Sequence, residues 1–86
     1  MDLDPRVKRP VANRLRRAQG QINGVLRMLD EDRDCAEVIT QLAAASRALD
    51  KAGLALVAAG LEQCMLAGEA GNEDRAKLER LFLSLG

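Results

Sequence analysis

The stretch Asp34–Met65, "DCAEVITQLAAASRALDKAGLALVAAGLEQCM", decides the fold. Its apolar residues fall at Val38, Ile39, Leu42, Ala45, Leu49, Ala52, Leu56 and Ala59 and continue to Met65. Such spacing marks one face of a helix, and no proline interrupts it. Asp34 suits the start of that helix, and Glu37 three residues on makes a pair of the capping-box kind. Gly53 and Gly60 each weaken it by about 1 kcal/mol relative to alanine. Seven residues apart, they share a face on which a neighbouring backbone can approach. The helix is expected to stop near Gly68 or Gly71.

Working outward, a second amphipathic face precedes this stretch. Val7, Val11, Leu15, Ala18, Ile22, Val25, Leu26 and Leu29 recur at helical spacing. Pro10 does not belong deep inside a helix, so the regular helix is expected to start with Pro10 in its first turn. It should end near Leu29, where the run "DEDRD" begins. A third helix is expected after the long one, with Asn72 as cap and Glu73 and Asp74 in its first turn. Leu78, Leu81, Phe82 and Leu85 then form its apolar face. The fold class is therefore all-α: three helices forming a single domain over residues 1–86, with no repeat and no linker.

Composition agrees. A chain of 86 residues buries little surface alone, so a partner chain is expected to complete its core. One Phe and no Trp or Tyr suit a bundle of aliphatic knobs rather than a sheet. The longest apolar run is too short to cross a bilayer, and no signal-peptide pattern opens the chain, which gives a cytoplasmic expectation with no membrane partner. In that compartment, two cysteines are more readily reactive or metal-binding than a structural disulfide.

Net charge is zero, but it is unevenly spread. From Pro5 to Met28 there are seven basic residues and no acidic one. Asp30 to Glu37 then carries five acids against Arg33. A basic segment in a neutral chain is a footprint for a polyanion, although a solvated helix face has the same composition. There is no histidine, no phosphate-binding glycine loop and no acid–base constellation, so an enzyme is not expected.

The chemistry rests on Cys35 and Cys64. They lie 29 residues apart on one helix, or about 43 Å at 1.5 Å per residue. A disulfide needs Cα atoms within about 7 Å. The two thiols of one chain cannot meet, yet 29 residues bring them within about 20° of the same side of the helix. Antiparallel pairing with a second copy, about a two-fold axis near Leu49 and Asp50, sets Cys35 of one chain beside Cys64 of the other. Two unrelated buried thiols are the plainer reading. Cys35 resists it, because the first turn of a helix favours reactive thiols, although Asp34 and Glu37 oppose that effect.

The segments "NRLRRAQGQINGVLRMLDEDRDC" and "QLAAASRALDKAGLALVAAGLEQC" resemble the copper-sensitive operon repressor family, the CsoR/RcnR-type regulators, over about Arg9 to Leu85. The resemblance implies an all-helical repressor without a helix-turn-helix. It implies an antiparallel four-helix bundle formed by a homodimer, dimers paired into a tetramer, and release from operator DNA when an inducer binds between chains. Copper sensors of the family use a cysteine, a histidine, and a second cysteine four residues after it. Here those positions are Cys35, Gly60 and Cys64. Nickel and cobalt sensors use more histidines, and formaldehyde sensors pair the first cysteine with an N-terminal proline where this chain has Asp2. A cysteine pair without histidine is similar to the persulfide-sensing, CstR-like branch.

That branch implies reactive sulfur species as inducer and no metal cofactor. A Cu(I)-responsive repressor using Cys35 and Cys64 is the alternative, and a helical oligomerisation module without a DNA role is another. Gly60 lines the site either as space left by the missing imidazole or as a point of close helix packing. The resemblance carries DNA contacts by position onto Arg14, Arg16 and Lys51, with Arg17 and Arg47 as neighbours.

Overall fold

The computed structural model describes residues 2–84. Three helices account for most of them: α1 (Pro5–Asp30), α2 (Cys35–Leu66) and α3 (Asn72–Ser84), with a 3₁₀ turn over Gly68–Gly71 before α3. No strand occurs among the described residues. α1 and α2 form a long antiparallel hairpin, and α3 folds back on the end of α2. The molecule measures 54 × 25 × 12 Å, a flat rod.

α1 begins earlier than its sequence suggested. Asp4 is the cap, its carboxylate accepting from the Arg6 N–H at 2.9 Å, and Pro5 takes the first helical position, where a missing N–H costs nothing. Pro10 therefore sits inside the helix. It removes one donor near the exposed start of the rod, which the strong cap tolerates. The Arg6 side chain also donates to Asp4, and this holds the Asp4 carboxyl below its ordinary range.

The link from α1 to α2 is a Schellman turn. The Arg33 N–H reaches the Met28 carbonyl at 3.0 Å and the Asp32 N–H reaches Leu29 at 3.3 Å. Asp32 holds the left-handed conformation, φ 54°, that usually falls to glycine. Asp34 then caps α2 through the Ala36 N–H. Glu37 turns instead to the Arg33 Nε at 3.0 Å, so its side chain is used across the turn rather than for a capping box.

The two helices meet on small side chains. Val11, Ala18 and Val25 of α1 and Ala45 and Ala52 of α2 are buried, each at intervals of seven. A repeat of seven is the period of helices packed along their length. The apolar face of α1 thus divides in two, because Leu15, Ile22 and Leu29 stay exposed. On α2, Leu42, Leu49 and Leu56 do the same. Leu15, Ile22, Leu29, Leu49 and Leu56 each lie four residues beyond a seam position, and Leu42 extends the α2 stripe by a further seven. Four residues turn a helix by about 40°, and in an antiparallel pair that rotation carries both stripes to the same flank.

α2 closes at Gly68, φ 64°, as its glycine suggested. Asn72 is not a cap: its backbone is already helical, φ −62° and ψ −40°, because the 3₁₀ turn runs straight into α3. Glu73 and Asp74 occupy the first turn of α3, and Leu85 lies outside the described residues. The turn rests on α2 through Gly71, which is buried. A Cβ there would fall 2.9 Å from the Cys64 Cα and closer still to the Cys64 carbonyl oxygen. The obstacle is backbone, which cannot rotate aside. Gly71→Ala should cost about 1–3 kcal/mol. Gly20→Ala, with nothing within 4 Å of the new methyl, should instead raise stability slightly. Thermal melts followed by circular dichroism would separate the two.

Candidate functional site

The long rod holds the two cysteines at its ends. Cys35 is the first residue of α2 and is exposed, while Cys64 lies in its last turn and is buried. At about 1.5 Å per residue, their separation forbids any contact within one chain. Cys35, Leu42, Leu49 and Leu56 follow one another at intervals of seven, and Cys64 comes eight later. The thiols thus bracket the exposed leucine stripe of α2.

The surroundings of Cys64 are built by three segments. The 3₁₀ turn lies over its backbone through Gly71. Gly60, one turn earlier, is buried under α3, and the Leu78 Cδ1 stands 2.9 Å from where a Cβ would be. Close packing therefore fills the space that the sequence left open between a gap and a contact. Gln63, beside Cys64, grips the start of the chain with its side-chain amide. The Asp4 N–H donates to its Oε1 at 3.0 Å, and its Nε2 donates to the Asp2 carbonyl. Gln63, Gly71 and Leu78 carry no motif. Only the fold brings them to the thiol.

A second feature lies on the other flank of the hairpin. Arg14 and Arg17 from α1 and Arg47 and Lys51 from α2 surround a concavity of about 270 Å³ floored by Gln21, Ala44 and Ala48. Their register explains the grouping. Arg14 is three residues after Val11 and Arg17 one before Ala18. Lys51 is one before Ala52. Those offsets turn away from the seam in the sense opposite to the leucines. Gln21 turns its Oε1 inward, where it is buried and has no hydrogen-bond partner. Arg16 is not in this group. Its Nη1 donates to the Asn13 Oδ1 at 3.0 Å on the exposed side of α1. Four cations on a concave surface suit phosphate oxygens, which they contact without reading sequence.

The profile of a family described as "Metal-sensitive transcriptional repressor" matches residues 7–84. The chain is 34% identical over 75 residues to the copper-sensing transcriptional repressor CsoR of Mycobacterium ulcerans, covering 87% of this chain and 64% of that protein. It is 43% identical over 54 residues to the copper-sensing transcriptional repressor RicR of Mycobacterium tuberculosis, covering 63% of this chain and 56% of that one. The matches thus span less than two thirds of these relatives' length. Among solved structures, the nickel-responsive transcriptional regulator InrS is similar, with a TM-score of 0.72 and 32% identity over 88% of each chain.

The grouping of cations has a measurable consequence. Arg14→Ala, Arg47→Ala and Lys51→Ala should each weaken binding to duplex DNA and flatten the plot of log affinity against log salt by about one. Arg16→Ala, outside the concavity, should change the slope less. Fluorescence anisotropy at several salt concentrations would measure both.

Proposed function

The chain belongs to the metal-sensitive transcriptional repressor family, and from that premise we propose that it is a DNA-binding repressor released by persulfide or polysulfide. The sensing element is Cys35 of one subunit with Cys64 of a second. The basic concavity of Arg14, Arg17, Arg47 and Lys51 holds the operator backbone, with Arg16 as an outlying contact.

The observation that carries the reading is the pairing of two thiols with hydrocarbon where a third donor would stand. The exposed stripe of Leu42, Leu49 and Leu56 supports the second subunit. Laid against its own copy about a two-fold axis between Leu49 and Asp50, it covers the apolar flank and closes a four-helix bundle. The same operation sets Cys35 beside the second subunit's Cys64 at both ends. A pair of such dimers gives the tetramer.

The proposed chemistry proceeds in two displacements. The exposed Cys35 thiolate attacks a sulfane sulfur of the inducer, forming a persulfide on Cys35 and expelling the rest of the inducer as a thiolate. Cys64 from the second subunit then attacks the Cys35 sulfur. A disulfide forms between subunits and hydrogen sulfide leaves, so the sulfane sulfur is the oxidant and is itself reduced. Where a polysulfide leaves two sulfane sulfurs on Cys35, attack of Cys64 on the inner one expels the outer as hydrogen sulfide and leaves a trisulfide bridge. Because Cys64 is buried with the 3₁₀ turn over its backbone, bridging it moves the end of α2 and, through Gln63, the start of α1. The α1 cations then lose their register with those of α2.

The residues do not fit a three-coordinate Cu(I) site. Two thiols are soft donors of the right kind, but position 60 offers no ligand and its space is taken by Leu78. A Cu(I)-responsive repressor using the two thiols alone is the second reading, favoured by the copper-sensing relatives.

Polysulfide should release the protein from operator DNA and give a covalent dimer on a non-reducing gel. Mass spectrometry should join the Cys35 and Cys64 peptides. Cys35→Ser should abolish the response, and Cys64→Ser should leave a persulfide on Cys35 without a cross-link. Tight Cu(I) binding with release, and no cross-link after polysulfide, would overturn this reading in favour of the second.

A further inference from the structure

The end of α2 carries a contact that neither thiol explains. Gly60 stands one turn before Cys64, so any side chain at position 60 would lie beside the cysteine sulfur. Gly60 supplies none, and the tip of Leu78 occupies the point where one would begin. The Leu78 Cδ1 lies 2.9 Å from the site of the missing Cβ. Leu3, Leu56, Gly60 and Leu78 together line an apolar cavity of about 180 Å³. α3 is held in this pose by Gly71, where only a glycine lets the turn lie on the Cys64 backbone. One glycine sets the height of α3 above α2, and the other receives its leucine.

We propose that Leu78 determines which inducers the thiol pair accepts: seated against Gly60, it keeps the position beside Cys64 hydrocarbon and excludes a third donor atom. The proposal rests on the thiol-pair reading above and assigns its selectivity to a residue outside that pair. A cation brought there finds two sulfurs and apolar carbon, and burying charge without further ligands is costly. A sulfur bridge is uncharged and suits the same surroundings. The lock has two parts. A methyl at position 60 needs only a rotation of the Leu78 tip. An imidazole is wider and requires Leu78 to leave. Changing Gly60 alone adds a donor together with a clash, and changing Leu78 alone adds space without a donor.

The test is Cu(I) affinity of the reduced full chain, measured by competition with a chromophoric chelator. Gly60→His should gain less than about threefold over the parent, and the Gly60→His/Leu78→Ala pair should gain about tenfold or more beyond that. A second arm holds even where Gly60→His fails to fold. Leu78→Ala enlarges the cavity and clears the point beside Gly60, so added free imidazole should tighten Cu(I) binding to this variant about tenfold more than to the parent chain. Equal gains for Gly60→His with and without Leu78→Ala, or an equal imidazole effect in the parent and Leu78→Ala, would overturn the assignment. Polysulfide cross-linking of the parent, run in parallel, reports separately on the thiol pair. Its failure would remove that reading, whereas the copper arms alone decide the exclusion by Leu78.

Discussion

The close approach of α1 and α2 over small side chains is the constraint from which the rest follows. Val11, Ala18 and Val25 on one helix, and Ala45 and Ala52 on the other, leave no room between the rods for anything large. Leu15, Ile22, Leu29, Leu42, Leu49 and Leu56 are consequently turned out to one flank, and Arg14, Arg17, Arg47 and Lys51 to the other. A hairpin that buries alanine gains little from hydrophobic burial, because that gain scales with the apolar area removed from water. A chain built this way leaves much of its stabilising surface for another molecule to cover. The seam therefore makes a half-structure with two unlike faces, one apolar and one cationic.

α2 converts that half-structure into chemistry. Its 32 residues separate Cys35 from Cys64 by more than any side chain can span, yet keep both on the leucine side. Rigidity here acts as a specificity device. It prevents the thiols of one chain from meeting each other. The ends of the rod are also unlike. Cys35 begins the helix in the open, whereas Cys64 is buried, with the 3₁₀ turn lying over its backbone. An exposed thiol meets reagents first, and a covered one reacts with what is delivered to it. The Gln63 amide, bonded to both Asp2 and Asp4, joins the covered end to the start of the helix that carries Arg14 and Arg17. The covered thiol and the cationic concavity thus share one short connection.

The sequence by itself determined the three helices, the position of both cysteines on α2, and the cations of the first two helices. These depend on local periodicity, charge and helix length, which are written in consecutive residues. The start of α1 is not written there, because Pro10 suggests a later first turn than the Asp4 cap, which makes Pro5 the first helical residue. Asn72 likewise suggests a capping role that the preceding 3₁₀ turn removes. Only the tertiary structure decided which apolar residues form the seam. Val11 and Leu15 have the same periodicity, and just the approach of α2 distinguishes small from large. Only the tertiary structure sorted Arg14, Arg17, Arg47 and Lys51 into one concavity and left Arg16 out, since that depends on the flank each residue takes after the helices pair. Gly60 shows the division most clearly. Its lack of a side chain is visible in the sequence, but what fills the space is Leu78, 18 residues away, and contacts across such a distance are set by packing rather than by local spacing.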